Sequence, residues 1–302
     1  MTSSRPVLPH SLAGALCLVA AAALAPQAAA HGDLHEQIQA VTARIAEAPA
    51  SAQLHFKRAE LYRAHRQWEA ALADYARAAA LDPDVAAVDL GRGLLFLETE
   101  ALTAAREALD RFLARHPGHA GGRAARARAL ARLGDSQAAA NDFTAAIAAS
   151  PRPRPEYFIE RARALVTGGE ARIGEALRGL DEGIERLGPL VTLQLVAIEL
   201  ELARRAHDAA LARVDRLVAA SPRKEPWLLR RGEILEQAGR LPEARLAYAA
   251  ALEVLRTLPE SRRGTPAAQE LAERARAGIE RVALAGGSRT AAGQMSPTRT
   301  GD

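Results

Sequence analysis

The chain has 302 residues, 49% of them hydrophobic and 25% charged but only 4% aromatic, with 22 Gly, 16 Pro and one Cys. The apolar share excludes a disordered chain, and the thin aromatic content argues against a β-barrel or sandwich. A single cysteine excludes a disulfide scaffold and every cysteine-rich metal site. Forty basic against thirty-six acidic residues leave a net charge of +4, and Lys57 and Lys224 are the only lysines. Arginine alternates with acid along the chain, as in Glu98, Arg106, Glu107, Asp110 and Arg111. That pattern is a solvated helix surface, not the concentrated cationic face of a nucleic-acid binder.

Residues 1–30 have the layout of a cleavable export signal. Arg5 supplies the positive start, Ser11 to Ala25 form an apolar run ended by Pro26, and Ala28-Ala29-Ala30 offers the small residues that a signal peptidase reads. The run is shorter than the ~20 residues of a membrane span. Cys17 follows Leu16 inside it, where a lipoprotein signal wants a small residue before its cysteine. The expectation is cleavage after Ala30, a mature chain from His31 without cysteine or stable membrane insertion, and a periplasmic location; an uncleaved anchor or a disordered leader is the alternative.

Beyond the leader the chain repeats. Pro49, Pro83, Pro117 and Pro151 are spaced at 34 residues, as are Val41, Tyr75, Leu109 and Phe143. Ala71, Ala105 and Ala139 keep the same period, as do Ala59, Gly93 and Ala127, and Tyr62, Phe96 and Leu130. Two antiparallel helices approach closely only where the facing side chain is Gly or Ala, and a bulky residue a turn away then fills the space against the next pair. Proline ends the second helix of each pair because it has no N–H for the ladder. An alanine-rich hairpin buries too little by itself, so neighbours must stack.

The columns resemble the tetratricopeptide repeat, a helix–turn–helix unit of 34 residues. Residues 52–85 match best, with Ala59, Tyr62, Ala71, Tyr75, Ala78 and Pro83 at the family's small, aromatic and proline positions and Trp68 at the turn. His55 stands where the family has its leading Trp, and Arg58 where it has Leu. The resemblance implies an all-α, right-handed solenoid of about six repeats at 52–85, 86–119, 120–153, 154–189, 190–224 and 225–258. The fourth carries two extra residues around Gly168-Gly169, and the fifth, with its very apolar Leu193 to Leu202 segment, is the least regular.

Both ends read as caps. Residues 31–51 form a half repeat, with Leu34, Ile38, Val41 and Ile45 on one stripe and Asp33 and Glu36 at capping-box spacing. Residues 259–287 form a final helix that starts at Thr265-Pro266, buries Leu271, Ala275, Ile279 and Val282, and stops at Gly286-Gly287. Residues 288–302 read as a disordered tail.

In the family the first helices line a concave groove. Carried onto this chain, the resemblance implies a lining of Phe56, Glu60 and Arg63, then Leu90, Leu94 and Leu97, then Arg128, then Ile159 and Arg163. Ile198 and Glu201 follow, and Leu229, Glu233 and Glu236 complete it. A trough that is apolar early, cationic in the middle and acidic late suits a peptide or helix of a partner protein. The competing reading is that Leu90, Leu94 and Leu97 pack against neighbouring helices. The Lys/Asn clamp of chaperone-tail binders is missing, its positions being held by Phe56, Glu60, Gly91, Gly121 and Ala125.

No H-E-x-x-H, G-x-S-x-G, phosphate-binding or dinucleotide motif is present. His31 and His35 could chelate copper at the mature N-terminus, and His116 and His119 flank a turn, where polar turn roles are the simpler reading. The expectation is therefore a non-enzymatic, cofactor-free scaffold that holds another protein in an exported or envelope complex. A copper-binding exported protein or accessory subunit, and a self-associating structural protein, are the alternatives.

Overall fold

The computed structural model describes residues 26–85 and 87–293, with side chains over 33–285. Residues 1–25 of the leader expected over 1–30, and the last part of the tail, 294–302, lie outside the described residues. Among the described residues there are fifteen α-helices and no strand. They fall into two compact units, one through Leu133 and one from Gly134 onward.

The N-terminal unit holds α1 (Pro26–Glu47), α2 (Ala52–Ala64), α3 (Trp68–Leu81), α4 (Ala87–Glu98), α5 (Leu102–Arg115) and α6 (Ala120–Arg132). Each helix packs on the next, and α2, α4 and α6 also meet side by side. The C-terminal unit holds α7 (Ser136–Ala148), α8 (Pro155–Thr167), a 3-10 turn (Glu170–Arg172), α9 (Ile173–Leu187), α10 (Val191–Ala203), α11 (His207–Ala220), α12 (Glu225–Gln237), α13 (Leu241–Thr257), the single turn α14 (Glu260–Arg263) and α15 (Pro266–Gly293). Here too successive helices form antiparallel pairs, and α15 lies against both α12 and α13.

The repeating columns are the core. Ala71, Ala105, Ala139, Ala176, Ala210 and Ala244 are all fully buried, and so are Tyr75, Leu109, Phe143, Leu180, Val214 and Tyr248. The close approach that requires small residues is explicit at several glycines. A Cβ at Gly93 would lie 2.5 Å from Leu109, one at Gly122 2.7 Å from Phe112, and one at Gly232 2.5 Å from the Tyr248 ring. Tyr248 is gripped from its other side, since a Cβ at Gly278 on α15 would come within 2.6 Å of it.

The turn inside each pair also repeats. Arg66, Glu100, Gly134, Arg205 and Gly239 have positive φ, between 59° and 89°. The following N–H reaches back five residues: Gln67 to the Tyr62 carbonyl at 2.8 Å, Ala101 to Phe96 at 2.8 Å, Ala206 to Glu201 at 2.8 Å and Arg240 to Leu235 at 2.9 Å. This is the left-handed C-cap in which Gly is cost-free, yet three of the five positions hold a residue with a Cβ. Second helices end just before Pro83, Pro117 and Pro151. In the sixth pair no proline stands at that place, and α13 runs on for 17 residues.

Three expectations need correction. α1 begins at Pro26, so Asp33 lies inside it and caps nothing; Ala28-Ala29-Ala30 carries strong helix propensity and extends the helix back across the expected cleavage point. α15 continues through Gly286-Gly287 to Gly293, because the neighbouring alanines favour helix and no proline stops it. The fifth pair is set one residue later than expected. Its left-handed Arg205 lies 34 residues before Gly239, which places Ile198, not Ala197, at the small crossing position.

α15 is tied down by charge as well as by packing. Arg281 of α15 donates to both oxygens of Glu236 on α12 at 2.9 and 3.0 Å, and the Tyr248 hydroxyl donates to the same carboxylate at 2.6 Å. The Arg281 hydrogen bond, against the opposing effect of burial, holds the Glu236 carboxyl below its ordinary range.

Two predictions follow from this geometry. Arg66→Gly and Arg205→Gly should each raise stability by about 0.5–1 kcal/mol and the melting temperature by about 1–3 °C, by removing the cost of a Cβ in the left-handed region. A fall in melting temperature would contradict this. Because Glu236 titrates lower in the folded chain, its contribution is present above the ordinary Glu value of ~4.3 and lost as pH falls through the depressed value. Glu236→Gln should therefore lower the melting temperature at pH 7, with the gap to the parent closing toward pH 3; an equal gap at both pH values would refute it.

Candidate functional site

In the N-terminal unit the first-helix faces of α2, α4 and α6 adjoin. Phe56, Glu60 and Arg63 share one face of α2, and Leu90, Leu94 and Leu97 the matching face of α4. Phe56 is half-buried, its ring centroid 6.0 Å from that of Tyr75. Glu60 accepts hydrogen bonds from the Tyr75 hydroxyl and from Arg63 Nη2, the latter at 3.0 Å. Arg63 Nη1 crosses to Glu98 Oε1 on α4 at 2.5 Å. Burial and the Glu60 carboxylate together push the Tyr75 hydroxyl well above its ordinary range, so it acts as a fixed donor. Leu97 is buried, while Leu90 and Leu94 pack on Leu97, Ala125 and Ala129 and stay partly open. Arg128 is half-buried on α6.

One end of this face deepens into a cavity of about 540 Å³, lined by Arg63, Arg66, Trp68, Leu97, Glu98, Glu100 and Arg132 among others. Arg132 donates to the Leu97 carbonyl at 3.2 Å and pairs with Glu100. The two left-handed turn residues Arg66 and Glu100 thus both sit on the cavity wall.

In the C-terminal unit the lining residues are less available. Ile159 on α8 is half-buried and Arg163 exposed. Ile198 and Leu229 belong to the core. Glu201 is buried and bound to Arg213 Nε at 2.7 Å, and Arg213 also meets Asp181 at 2.8 Å and Gln194 at 3.3 Å. Desolvation pulls against the Arg213 charge, but Asp181 and Glu201 outweigh it and raise its pKa. Ile198 and Glu201 are therefore corrected: a slip of one residue turns a helix by about 100° and carries a facing residue inside. Leu195, Glu199 and Leu202 take the more open side of α10. The exact recurrence of the turn before Ala210 was the available signal. Glu233 is held by Arg230 at 3.2 Å and by Arg274 of α15 at 2.7 Å, and Glu236 by Arg281, so α15 neutralises the acidic end.

His55, expected on the surface of the first repeat, is instead buried, and Arg58 packs beside it. Both bind Asp74, a buried residue of α3: His55 Nδ1 at 3.0 Å, and Arg58 Nε and Nη2 at 2.6 and 2.9 Å. The Asp74 hydrogen bonds, opposed by desolvation, raise the Arg58 pKa. The two departures from the family pattern thus form one ionic clasp between the helices of the first pair. His119 accepts the Gly122 N–H at 2.9 Å as the N-cap of α6, with its ring edge-on to Phe112. His35 Nε2 lies 3.0 Å from Gln39 Nε2; the side chain of His31 lies outside the described ones. Among the described residues no three His, Cys, Asp or Glu converge as a metal site, and no helix is long and apolar enough to cross a membrane.

A tetratricopeptide repeat family profile matches residues 56–120 and 195–262. No curated protein sequence matches the chain. Among solved structures it is similar to PilW, described as a type IV pilus biogenesis factor, at 20% identity and TM-score 0.53 over 65% of this chain and 90% of that one. It is similar to YrrB, described as having an unusual peptide-binding site, at 20% identity and TM-score 0.51 over 61% and 94%. A tetratricopeptide repeat protein from Parabacteroides merdae matches over 82% and 94% at 17% identity and TM-score 0.51. These likenesses show a shared fold of stacked helical hairpins. On the profile match and the repeated hairpins together, the chain carries tetratricopeptide repeats over those two segments.

Proposed function

We propose that the chain is a non-enzymatic scaffold that holds a peptide or single helix of a partner protein along the first-helix face of its N-terminal unit. The observation that carries this reading is the row of Phe56, Leu90 and Leu94, only half-covered at positions where a helix facing nothing but water would be polar. The Arg63 network beside them is already paired, so it fixes orientation more than it adds affinity. The peptide-binding site named for YrrB supports the reading as a precedent on the same fold. We also propose that the chain is exported and works in the periplasm from His31, on the strength of the charged start, the short apolar run and the alanine triplet.

Exchange of Leu90 and Leu94 together for Gln should weaken capture of the native partner at least tenfold in a pull-down from the envelope fraction, with helicity by circular dichroism unchanged. Undiminished capture would remove this face from the account. Intact mass of the protein recovered from cells should correspond to residues 31–302; a mass that retains Met1 would contradict export with cleavage.

A further inference from the structure

A cleft in the C-terminal unit, formed by α13, α14 and α15, lies away from the first-helix faces. It exists because α13 is 17 residues long, against 14 for α3, α5 and α11, and because α14 and its flanking turns intervene before α15. Its volume is about 610 Å³, within the usual range of small-molecule sites of ~300–1,000 Å³. The floor is apolar: Leu252, Leu255, Ala268 and Ala272, of which Leu255 and Ala268 are buried. The rim carries Arg256, Arg263 and Arg276 with Glu260 and Glu273.

The three arginines are not equivalent. Arg256 is held by Glu253, Nε at 3.0 Å and Nη2 at 2.6 Å. Among the described residues Arg263 donates only to the Arg256 carbonyl, at 3.3 Å, and neither it nor Arg276 has a carboxylate partner. Glu260 and Glu273 stand three residues before Arg263 and Arg276, yet neither pair closes. The same spacing does close at Glu60 and Arg63, and at Glu253 and Arg256. Two open guanidinium forks over an apolar floor match a carboxylate bidentately. The two glutamates on the same rim repel a polyanion and leave a monoanion as the fitting charge.

We propose that this cleft binds a small amphiphile with one carboxylate, of the medium-chain fatty acid class, its chain on Leu252, Leu255 and Ala268 and its head group between Arg263 and Arg276. The test is calorimetric titration of the full chain with sodium octanoate, sodium decanoate and decanol below their aggregation limits. Decanoate should bind at one saturable site, about fifteenfold tighter than octanoate, from roughly fourfold per buried methylene. It should also bind more tightly than decanol. Arg263→Gln with Arg276→Gln should weaken decanoate at least tenfold and leave decanol unchanged, while Arg245→Gln, exposed on α13 outside the cleft, changes neither. Absence of saturable decanoate binding, equal affinity for decanol, or undiminished decanoate binding by the double variant would each overturn the assignment.

Discussion

Backbone approach at small residues is the constraint on which the rest of this molecule depends. Where Gly93, Gly232 or an alanine of the same column faces its partner helix, the bulky residue opposite can occupy the space a side chain would have taken. That residue then touches two neighbours at once. Tyr248 shows it most clearly, lying between Gly232 of its own pair and Gly278 of the next helix. A hairpin isolated from its neighbours would leave one side of such a ring in water, which is why the stability of stacked repeats resides in their interfaces.

A second layer of order is ionic, and its most buried pairs run between helices. Asp74 gathers His55 and Arg58, Arg213 gathers Glu201 and Asp181, and Glu236 gathers Arg281 and the Tyr248 hydroxyl. The enclosed pairs among them, at Asp74 and between Arg213 and Glu201, are costly to desolvate, and the best-attested role of such pairs is to fix which surfaces meet. In an array whose apolar contacts are nearly interchangeable alanines and leucines, such clasps give individual pairs an identity that the apolar contacts do not. The same pairing occupies the acids expected to line the C-terminal unit's first-helix face, because Glu233 and Glu236 are already bound to α15.

The fold was legible in the sequence because its determinants repeat: small, bulky and proline positions recur in register, and the eye needs only one good copy. What was not legible came from single residues with no second copy. The register of the fifth pair failed since Ala197 and Ile198 are both apolar; the left-handed Arg205, which looks like any surface arginine, decides between them in the structure, and the spacing from Ala210 to Ala244 was the one sequence signal for it. Helix ends failed for the same reason. Neither Asp33 nor Gly286 overrides the propensity of the alanines around it. At the site, the composition of the face was readable, but the pairing of its charges was not, because Arg63 meets Glu98 and Arg274 meets Glu233 across distances of 35 and 41 residues in sequence.

The sign of one substitution tests the central constraint most directly. Within an ordinary helix, replacing Gly by Ala stabilises by about 0.5–1 kcal/mol through propensity. At Gly232 the new Cβ would fall 2.5–3.0 Å from a Tyr248 ring that is fully buried and hemmed in by Gly278. The urea unfolding midpoint of Gly232→Ala should therefore fall, by an amount equivalent to about 1–3 kcal/mol of overpacking. A midpoint that rises, as propensity alone would dictate, would contradict the account.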